Sequence, residues 1–592
     1  MAVNNFREDE QSKTVLKKVT ILRLFSYMKK YKKEIIYVLL IMGIIITVNV
    51  LNPILIKIAM DDYIKKFNPK GLYVIGVIAV VMNLISRFCM KKRILVMSKV
   101  SNKVLMEIRQ ELYEHLQKLS FNFFDNRPVG KVLARVIGDV NSLKSVLTNS
   151  VISLIPDFVT LIVVLIIMFI LNVKLALGAL ALLPFLVFGM YFVQVRAHRR
   201  WQVFRKKNSN MNAYTHENFS GIRVVQSFTA EEYTSKTFRE LLREHRKSFV
   251  SAVKLNDIFW PMVEISWGIG TVMVFLIGVN LSTKNEITIG TLIAFTTYVG
   301  MFWQPIMNLS NFYNQLITNI AGAERIFEIL DTKPDIKDIN NAEVMPLIKG
   351  NVEFDNVTFS YDNKVNVLEN VSFNIKKGET IALVGPTGAG KTTIVNLISR
   401  FYDINKGIVK IDGINIKDVT IESLRSQMGI MTQDTFLFTG TIKDNIRYGK
   451  LNATDEEIIE AAKAVHAHEF IVKLENGYDT EVNERGTRLS VGQRQLIAFA
   501  RIMLSKPKIL VLDEATSSID THTERLVQKG IEELLRGRTS FVIAHRLSTI
   551  QKADRIFVVD KGNILETGNH NELMSREGIY YNLYMAQFEA IS

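Results

Sequence analysis

A single cysteine, Cys89, stands among the 592 residues of this chain. That scarcity excludes an intramolecular disulfide and any cysteine-cluster metal site. Its place in an apolar run marks Cys89 as a buried thiol rather than a reactive one. The polar N-terminal region lacks a short apolar core followed by a small-residue cleavage pattern, so no removable signal peptide is expected. Internal repeats and low-complexity tracts are missing too, which sets aside solenoids and biased disordered arrays.

Acidic residues are outnumbered, 58 Asp and Glu against 73 Lys and Arg, for a net charge of +15. A basic excess can mean nucleic acid, but its placement argues otherwise. Lys and Arg cluster in the N-terminal segment, in Lys91 to Lys144 and in Arg196 to Lys254, all beside apolar runs. That is the positive-inside pattern of a membrane protein facing anionic lipid. Membrane lipids are the expected partner, and nucleic acid is not. What the chain has in plenty is apolar residues, at 48%, with a mean hydropathy of +0.15. They concentrate before residue 323, and a chain of this length is expected to hold two or more domains.

Ile35 to Ile56 carries no charge and is long enough to cross a bilayer, for which about 20 residues suffice. Further spans read at Gly71 to Met90, interrupted by Arg87; at Val146 to Val173, with Asp157 inside; at Leu175 to Val195; at Trp260 to Ser282, holding Glu264; and at Ile287 to Ala323, longer than one crossing. The expectation is six spans. Asp61 to Lys70, Lys174 and Thr283 to Glu286 are short connectors, whereas the second-to-third and fourth-to-fifth loops are long, charged and helical in pattern. With basic residues inside, the long loops and both termini are expected to be cytoplasmic. Val19 to Lys33 is amphipathic and basic and should lie along the inner surface.

Arg87, Asp157 and Glu264 are ionisable groups inside spans, which are functional hypotheses by default. At about 1.5 Å per residue, all three fall roughly 24 to 27 Å below the outer end of their spans, at one level. One reading pairs Arg87 with an acid, or lets it snorkel; the other makes an acidic feature that favours cationic substrates. Phe302, Trp303 and Gln304, ahead of Pro305, read as facing either a cavity or lipid.

After a polar connector, Glu324 to Gly350, short apolar strands alternate with helices. Ile381 to Val384 leads to a helix from Lys391, Ile509 to Leu512 to a helix near Thr523, and Thr539 to Ala544 follows. This is a parallel-sheet α/β pattern. Gly385, Pro386, Thr387, Gly388, Ala389, Gly390, Lys391 and Thr392 fit G-x-x-x-x-G-K-[ST] between a strand and a helix, with Thr393 following. The glycines let backbone N–H groups close around phosphate, and the helix N-terminus adds its positive end. Lys391 is placed to bridge β- and γ-phosphate oxygens, and the Thr392 hydroxyl to hold Mg²⁺. Ile509 to Leu512 runs into Asp513 and Glu514: Asp513 can enter the Mg²⁺ shell, and Glu514 can polarise a water as general base. A third feature, "RLSVGQRQLIAFAR" from Arg488 to Arg501, puts a short glycine-bearing segment at a helix N-terminus, a second anion site.

From about Gly350 to its end the chain resembles the nucleotide-binding domain of ABC transporters. Leu489 to Gln493 is similar to the family signature, in which Ser490, Gly492 and Gln493 face nucleotide. Gln433 in "TQDTFLF" resembles the Q-loop glutamine, His545 in "IAHRLST" the switch histidine, Tyr361 in "FSYDN" the aromatic that stacks on adenine, and Asp520 in "SSID" the D-loop aspartate. Thr480 to Gly486, "TEVNERG", resembles the exporter loop that meets the intracellular helices. "FFDNRPVGKVLARV", Phe123 to Val136, and "ENFSGIRVVQSFTAEE", Glu217 to Glu232, resemble the two coupling-helix regions.

Six spans ahead of one such domain is the half-transporter layout of type IV (type I exporter) ABC proteins. The resemblance covers nearly the whole chain, and bacterial multidrug and lipid exporters resemble it best. It implies a multi-domain chain: a cytoplasmic N-terminus with an amphipathic helix (1–34), a six-helix α-helical transmembrane domain (35–323), a linker (324–349) and an α/β P-loop, ABC-type nucleotide-binding domain (350–592). The implied activity is ATP hydrolysis with Mg²⁺ coupled to export of hydrophobic or amphipathic small molecules. Catalysis would rest on Glu514, His545, Lys391 and Gln433, with Mg²⁺ held by Thr392, Gln433 and Asp513.

The resemblance also implies a second half-transporter chain, because each ATP lies between one chain's phosphate loop and the other's signature. A homodimer and a heterodimer both fit. The sequence departs from the family at Val491, where glycine is usual. A lipid flippase, an ATP-gated channel or a regulatory ATPase are the alternative functions. No regulatory insertion separates the domains and no peptidase-like domain is read ahead of the first span, while importers usually carry these domains on separate chains.

Overall fold

The computed structural model describes residues 18–362, 364–432, 435–483, 486, 488–513, 521–544 and 547–588. The chain divides into two compact units, Met1–Gln117 with Gly130–Thr332, and Lys118–Val129 with Lys333–Ser592. The segment 118–129 thus packs with the second unit although its sequence neighbours on both sides belong to the first.

The first unit is helical. Its long helices run Lys32–Ile58, Pro69–Lys118, Ile155–Leu171, Leu183–Ser220, Glu231–Asn256, Phe259–Thr283 and Ile289–Asp331. Among the described residues, five helical stretches are long and apolar enough to cross a membrane. The sixth predicted span falls within the 43-residue helix Ile289–Asp331, which packs against Lys32–Ile58, Val140–Asn149 and Ile155–Leu171. The 50-residue helix Pro69–Lys118 is about 75 Å long at 1.5 Å per residue. That is more than twice the roughly 30 Å hydrocarbon core, so part of it must stand outside the bilayer. Only 6% of its apolar window is buried, so Val74, Val77, Val80 and Leu84 turn outward to an apolar surrounding.

The short connectors meet. Thr288 and the Gly290 N–H donate to the Asp61 carboxylate at 2.5 and 3.0 Å, and Lys174 pairs with Glu286 at 2.9 Å. The amphipathic N-terminal segment forms the helix Lys18–Met28, with Leu24 and Met28 buried. It is fastened by Arg23, which pairs with Asp331 at 2.6 Å and sits 4.4 Å over the Phe327 ring.

Three expectations for the spans are revised. Asp157 accepts from Asn308 at 3.3 Å and feels the charge of Arg93, not of Arg87. Arg87 and Glu264 are exposed and join no ion pair among the described residues. Phe302 and Trp303 face neither cavity nor lipid: both are 3% exposed and join the helical core, while Gln304 is exposed.

The second unit is built on a six-stranded sheet ordered Asn563–Gly568, Arg555–Asp560, Thr380–Val384, Thr539–Ile543, Ile509–Asp513, Met428–Met431. All neighbours are parallel except the first pair. Its central strands are largely apolar and buried because both faces are covered. Alternate residues feed two separate cores. Ala382, Leu510, Leu512 and Val542 point to one, shared with Leu496, Ile497 and Phe499 of the helix Val491–Ser505. Ile381, Leu383, Val511 and Phe541 point to the other, shared with Ile394, Leu397 and Ile398 of the helix Lys391–Ile398. The period of two along each strand therefore sends the phosphate-loop helix and the signature helix to opposite faces of one sheet. A four-stranded antiparallel sheet, Leu368–Ile375, Val352–Phe359, Lys406–Ile411, Ile414–Asn415, joins the phosphate-loop side.

Candidate functional site

The phosphate loop leaves the sheet where Val384 ends its strand. Leu383, Ile543 and Asp513 lie side by side in register there, at the carboxyl ends of the parallel strands, where α/β sheets bind ligands. Gly385 has φ +147, and a Cβ built on it would stand 2.0 Å from the Val559 carbonyl oxygen. Only glycine passes. Gly388 and Gly390 have φ +83 and +109, left-handed values that turn the chain so that Lys391 opens the helix. Pro386, Thr387 and Ala389 fill the turn, with Ala389 buried and its carbonyl taken by the Gly562 N–H at 3.0 Å.

The Lys391 ammonium is buried, 9% exposed, and donates to the carbonyls of Gly385 and Pro386, each at 2.8 Å. Burial holds its pKa below the ordinary lysine value, with the Asp513 charge partly restoring it. A buried cation whose hydrogen bonds go to neutral carbonyls gains from an anionic partner, so the arrangement favours phosphate. The Thr392 side chain is exposed, whereas Thr393 is buried and its hydroxyl lies 3.1 Å from the Tyr361 hydroxyl. The Thr393 hydroxyl thus holds the Tyr361 hydroxyl in place. The Tyr361 ring is 40% exposed and braced edge-on by Phe359 at 4.8 Å and by Tyr402 at 4.9 Å, which leaves an open face for stacking. Thr392 and Asp513 supply hard oxygen donors, the chemistry Mg²⁺ takes.

At the signature, Ser490 caps the helix Val491–Ser505 in a capping box: its hydroxyl accepts from the Gln493 N–H at 3.2 Å, and the Gln493 side chain accepts from the Ser490 N–H at 2.9 Å. Among the described residues the Ser490 hydroxyl accepts but does not donate. The first-turn N–H groups beside it, Gly492 included, have no intrahelical acceptor. Arg494 braces the loop by donating to the Leu489 carbonyl at 2.8 Å. Val491 is the first helical residue and does not take a positive φ, so a β-branched side chain fits.

The predicted residues Gln433, Glu514, Asp520 and His545, and Glu484 and Arg485 of "TEVNERG", lie outside the described residues. Sequence reading missed Tyr402 and Asp125, whose hydroxyl and carboxylate are hydrogen-bonded. They are 277 residues apart, and no local pattern links them. Arg501 was missed as well. It donates to Asn445 O at 2.8 Å and to Phe436 O at 3.2 Å, tying the signature helix to the segment after Gln433; its helical spacing alone carried no such signal.

Residues 35–306 match the ABC transporter transmembrane region, and residues 368–517 match the ABC transporter family. A putative multidrug export ATP-binding/permease protein of Staphylococcus aureus is 38% identical over 96% of this chain and 100% of its own. An ATP-dependent lipid A-core flippase of Syntrophus aciditrophicus is 40% identical over 90% of this chain and 89% of its own. The solved structure of a bacterial Atm1-family ABC exporter with ATP bound aligns with a TM-score of 0.80 at 28% identity, covering 94% of this chain and 98% of that one. Helical spans followed by a phosphate-loop sheet define a membrane transporter driven by nucleotide. The chain belongs to the ABC transporter family: it is an exporter of the half-transporter type that couples ATP hydrolysis to transport.

Proposed function

We propose that two copies of the six-span half-transporter, or this chain and a similar one, form an alternating-access dimer in the plasma membrane that exports amphipathic or hydrophobic compounds. The observation that supports a dimer is the placement of the phosphate-loop and signature helices on opposite faces of one sheet. A chain folded this way offers its signature to another chain's nucleotide.

In each site Lys391 and the backbone of Gly385 to Thr392 hold the β- and γ-phosphates, and Tyr361 stacks on adenine. Ser490, Gly492 and Gln493 of the partner close over the γ-phosphate, with Asp520 reporting across the dimer. Thr392, Gln433 and Asp513 hold Mg²⁺, which neutralises charge on the phosphates when bound. Glu514 takes a proton from the attacking water, and His545 steadies the γ-phosphate as its bond to the bridging oxygen breaks. Loss of that phosphate removes what joins the halves, and the membrane helices switch between inward- and outward-facing states. The short helix Ile222–Ser227 with exposed Phe219, Val224 and Phe228 suits the docking role that its resemblance to a coupling helix implies. Both termini and the long loops lie on the cytoplasmic side.

The relative named for multidrug export supports drugs as substrates, and the relative named as a lipid A-core flippase supports lipid as the second reading. ATPase activity in nanodiscs, measured against a panel of cationic and neutral drugs and of lipids, decides between them. Drug stimulation is expected; stimulation by lipid alone would transfer the function to flipping. Glu514→Gln should abolish turnover, and retained turnover would remove Glu514 from catalysis.

A further inference from the structure

The second unit contains one stretch of chain from far upstream, residues 118–129, and its anchorage leads to the nucleotide site. Four contacts contribute to its anchorage. Ser120 and Asn122 donate to Asp335 at 3.0 and 3.2 Å. Phe121 packs edge-on against Phe401 at 4.6 Å. Tyr402 donates its hydroxyl to the Asp125 carboxylate.

The turn that carries Phe401 and Tyr402 is rigid. Arg400, 1% exposed, has φ +50 and donates to the carbonyls of Ile416 and Val419, each at 3.0 Å. Arg425 sits 4.8 Å over Phe401 and donates to the Ser399 carbonyl at 3.1 Å and the Arg400 carbonyl at 2.6 Å. From this fixed turn the Tyr402 ring stands perpendicular to Tyr361, at 4.9 Å and 89°, and touches Phe359 at 5.8 Å. Phe359 is itself buried and edge-on to Tyr361. Three rings therefore form a triangle with Tyr361 at one corner, its hydroxyl held by Thr393. Burial, and then the Asp125 carboxylate, push the Tyr402 hydroxyl well above the ordinary phenol range, so it stays a proton donor to Asp125 at any working pH.

We propose that Tyr402 is a positioning residue through which Asp125 sets the plane of the Tyr361 ring, so that displacement of segment 118–129 weakens the grip on the adenine base without altering the grip on the phosphates. This rests on Tyr361 stacking on adenine. Edge-to-face pairs have narrow geometric preference; a Tyr402 ring released from Asp125 no longer fixes the face that Tyr361 presents. The segment thereby gains a line to the base separate from any line to the phosphates.

The test uses the full-length protein in nanodiscs and two Mg²⁺-bound probes, AMP-PNP, which has a base, and inorganic tripolyphosphate, which has none. Asp125→Ala and Tyr402→Phe should each weaken AMP-PNP by about three- to tenfold, the range of one aromatic-pair geometry. The double variant should be no weaker than either single, and tripolyphosphate affinity should be unchanged in all three, which also reports an intact fold. The proposal is overturned if Asp125→Ala leaves AMP-PNP affinity unchanged, if it weakens both probes equally, or if its effect survives in the Tyr402→Phe background. Tyr361→Ala separates the underlying reading: it should weaken AMP-PNP alone, and if it does not, Tyr361 is not the adenine platform.

Discussion

At the scale of single residues, the departure from the family at position 491 is resolved by its backbone. Val491 opens a right-handed helix capped by Ser490, so glycine's backbone freedom is not demanded there. Val491→Gly should leave ATPase activity within about threefold and cost at most about 1 kcal/mol, the price of glycine in a helix. Ser490→Ala removes a cap, worth about 1 kcal/mol, and, on the proposed role of Ser490, a donor to a charged phosphate, worth about 1.5 to 3 kcal/mol. ATPase turnover at subsaturating ATP should fall roughly 10- to 150-fold.

Asp412 offers a stability test away from the chemistry. Burial alone would raise its pKa, but the Asn351, Lys349 and Gly350 N–H groups and the Asn351 amide outweigh that and hold it below the ordinary carboxylate value. A depressed folded-state pKa stabilises the protein above the unfolded value of about 3.9 and loses that contribution as pH falls through the folded one. Asp412→Asn should therefore cost about 1 to 3 kcal/mol at pH 7. In thermal melts the gap from wild type should close as the medium is acidified below about pH 4. A gap independent of pH would show that charge is not the source.

At the scale of elements, legibility followed the range of the forces involved. The strands at 380–384, 509–513 and 539–543 were readable because each carries a short apolar run buried on both faces. The phosphate loop was readable because its glycines answer to local backbone geometry: Gly385→Ala would drive a methyl against Val559 O and should abolish nucleotide binding in an equilibrium assay. The antiparallel sheet over 352–415 was not read, since its strands mix exposed and buried positions and break register. Nor were Tyr402 and Asp125, whose meeting depends on tertiary folding alone. Phe302 and Trp303 looked exposed to a cavity or to lipid because composition gives a helix its apolarity but not the direction of each face; packing against neighbouring helices decided it.

At the scale of the whole molecule, a nucleotide site divided between chains can be tested by mixing. Lys391→Met chains and Ser490→Ala chains should each fail alone to trap nucleotide. Co-expressed, they should trap it at one site per mixed dimer, the one built from an unaltered phosphate loop and an unaltered signature. Trapping no greater than in the parents would place the whole site within one chain.

The inclusion of residues 118–129 in the second unit bears on how the protein is made. Tyr402 follows Asp125 by 277 residues, and at about 5 to 20 residues per second a ribosome needs roughly 14 to 55 s to cover that distance. Throughout that interval Phe121 and Asp125 wait without their partners while later spans enter the membrane. The second unit cannot finish folding until the upstream loop lies on the same side of the membrane as Phe401 and Tyr402. An inverted topology would leave Phe401 uncovered, an apolar mark by which quality control can recognise a misinserted chain.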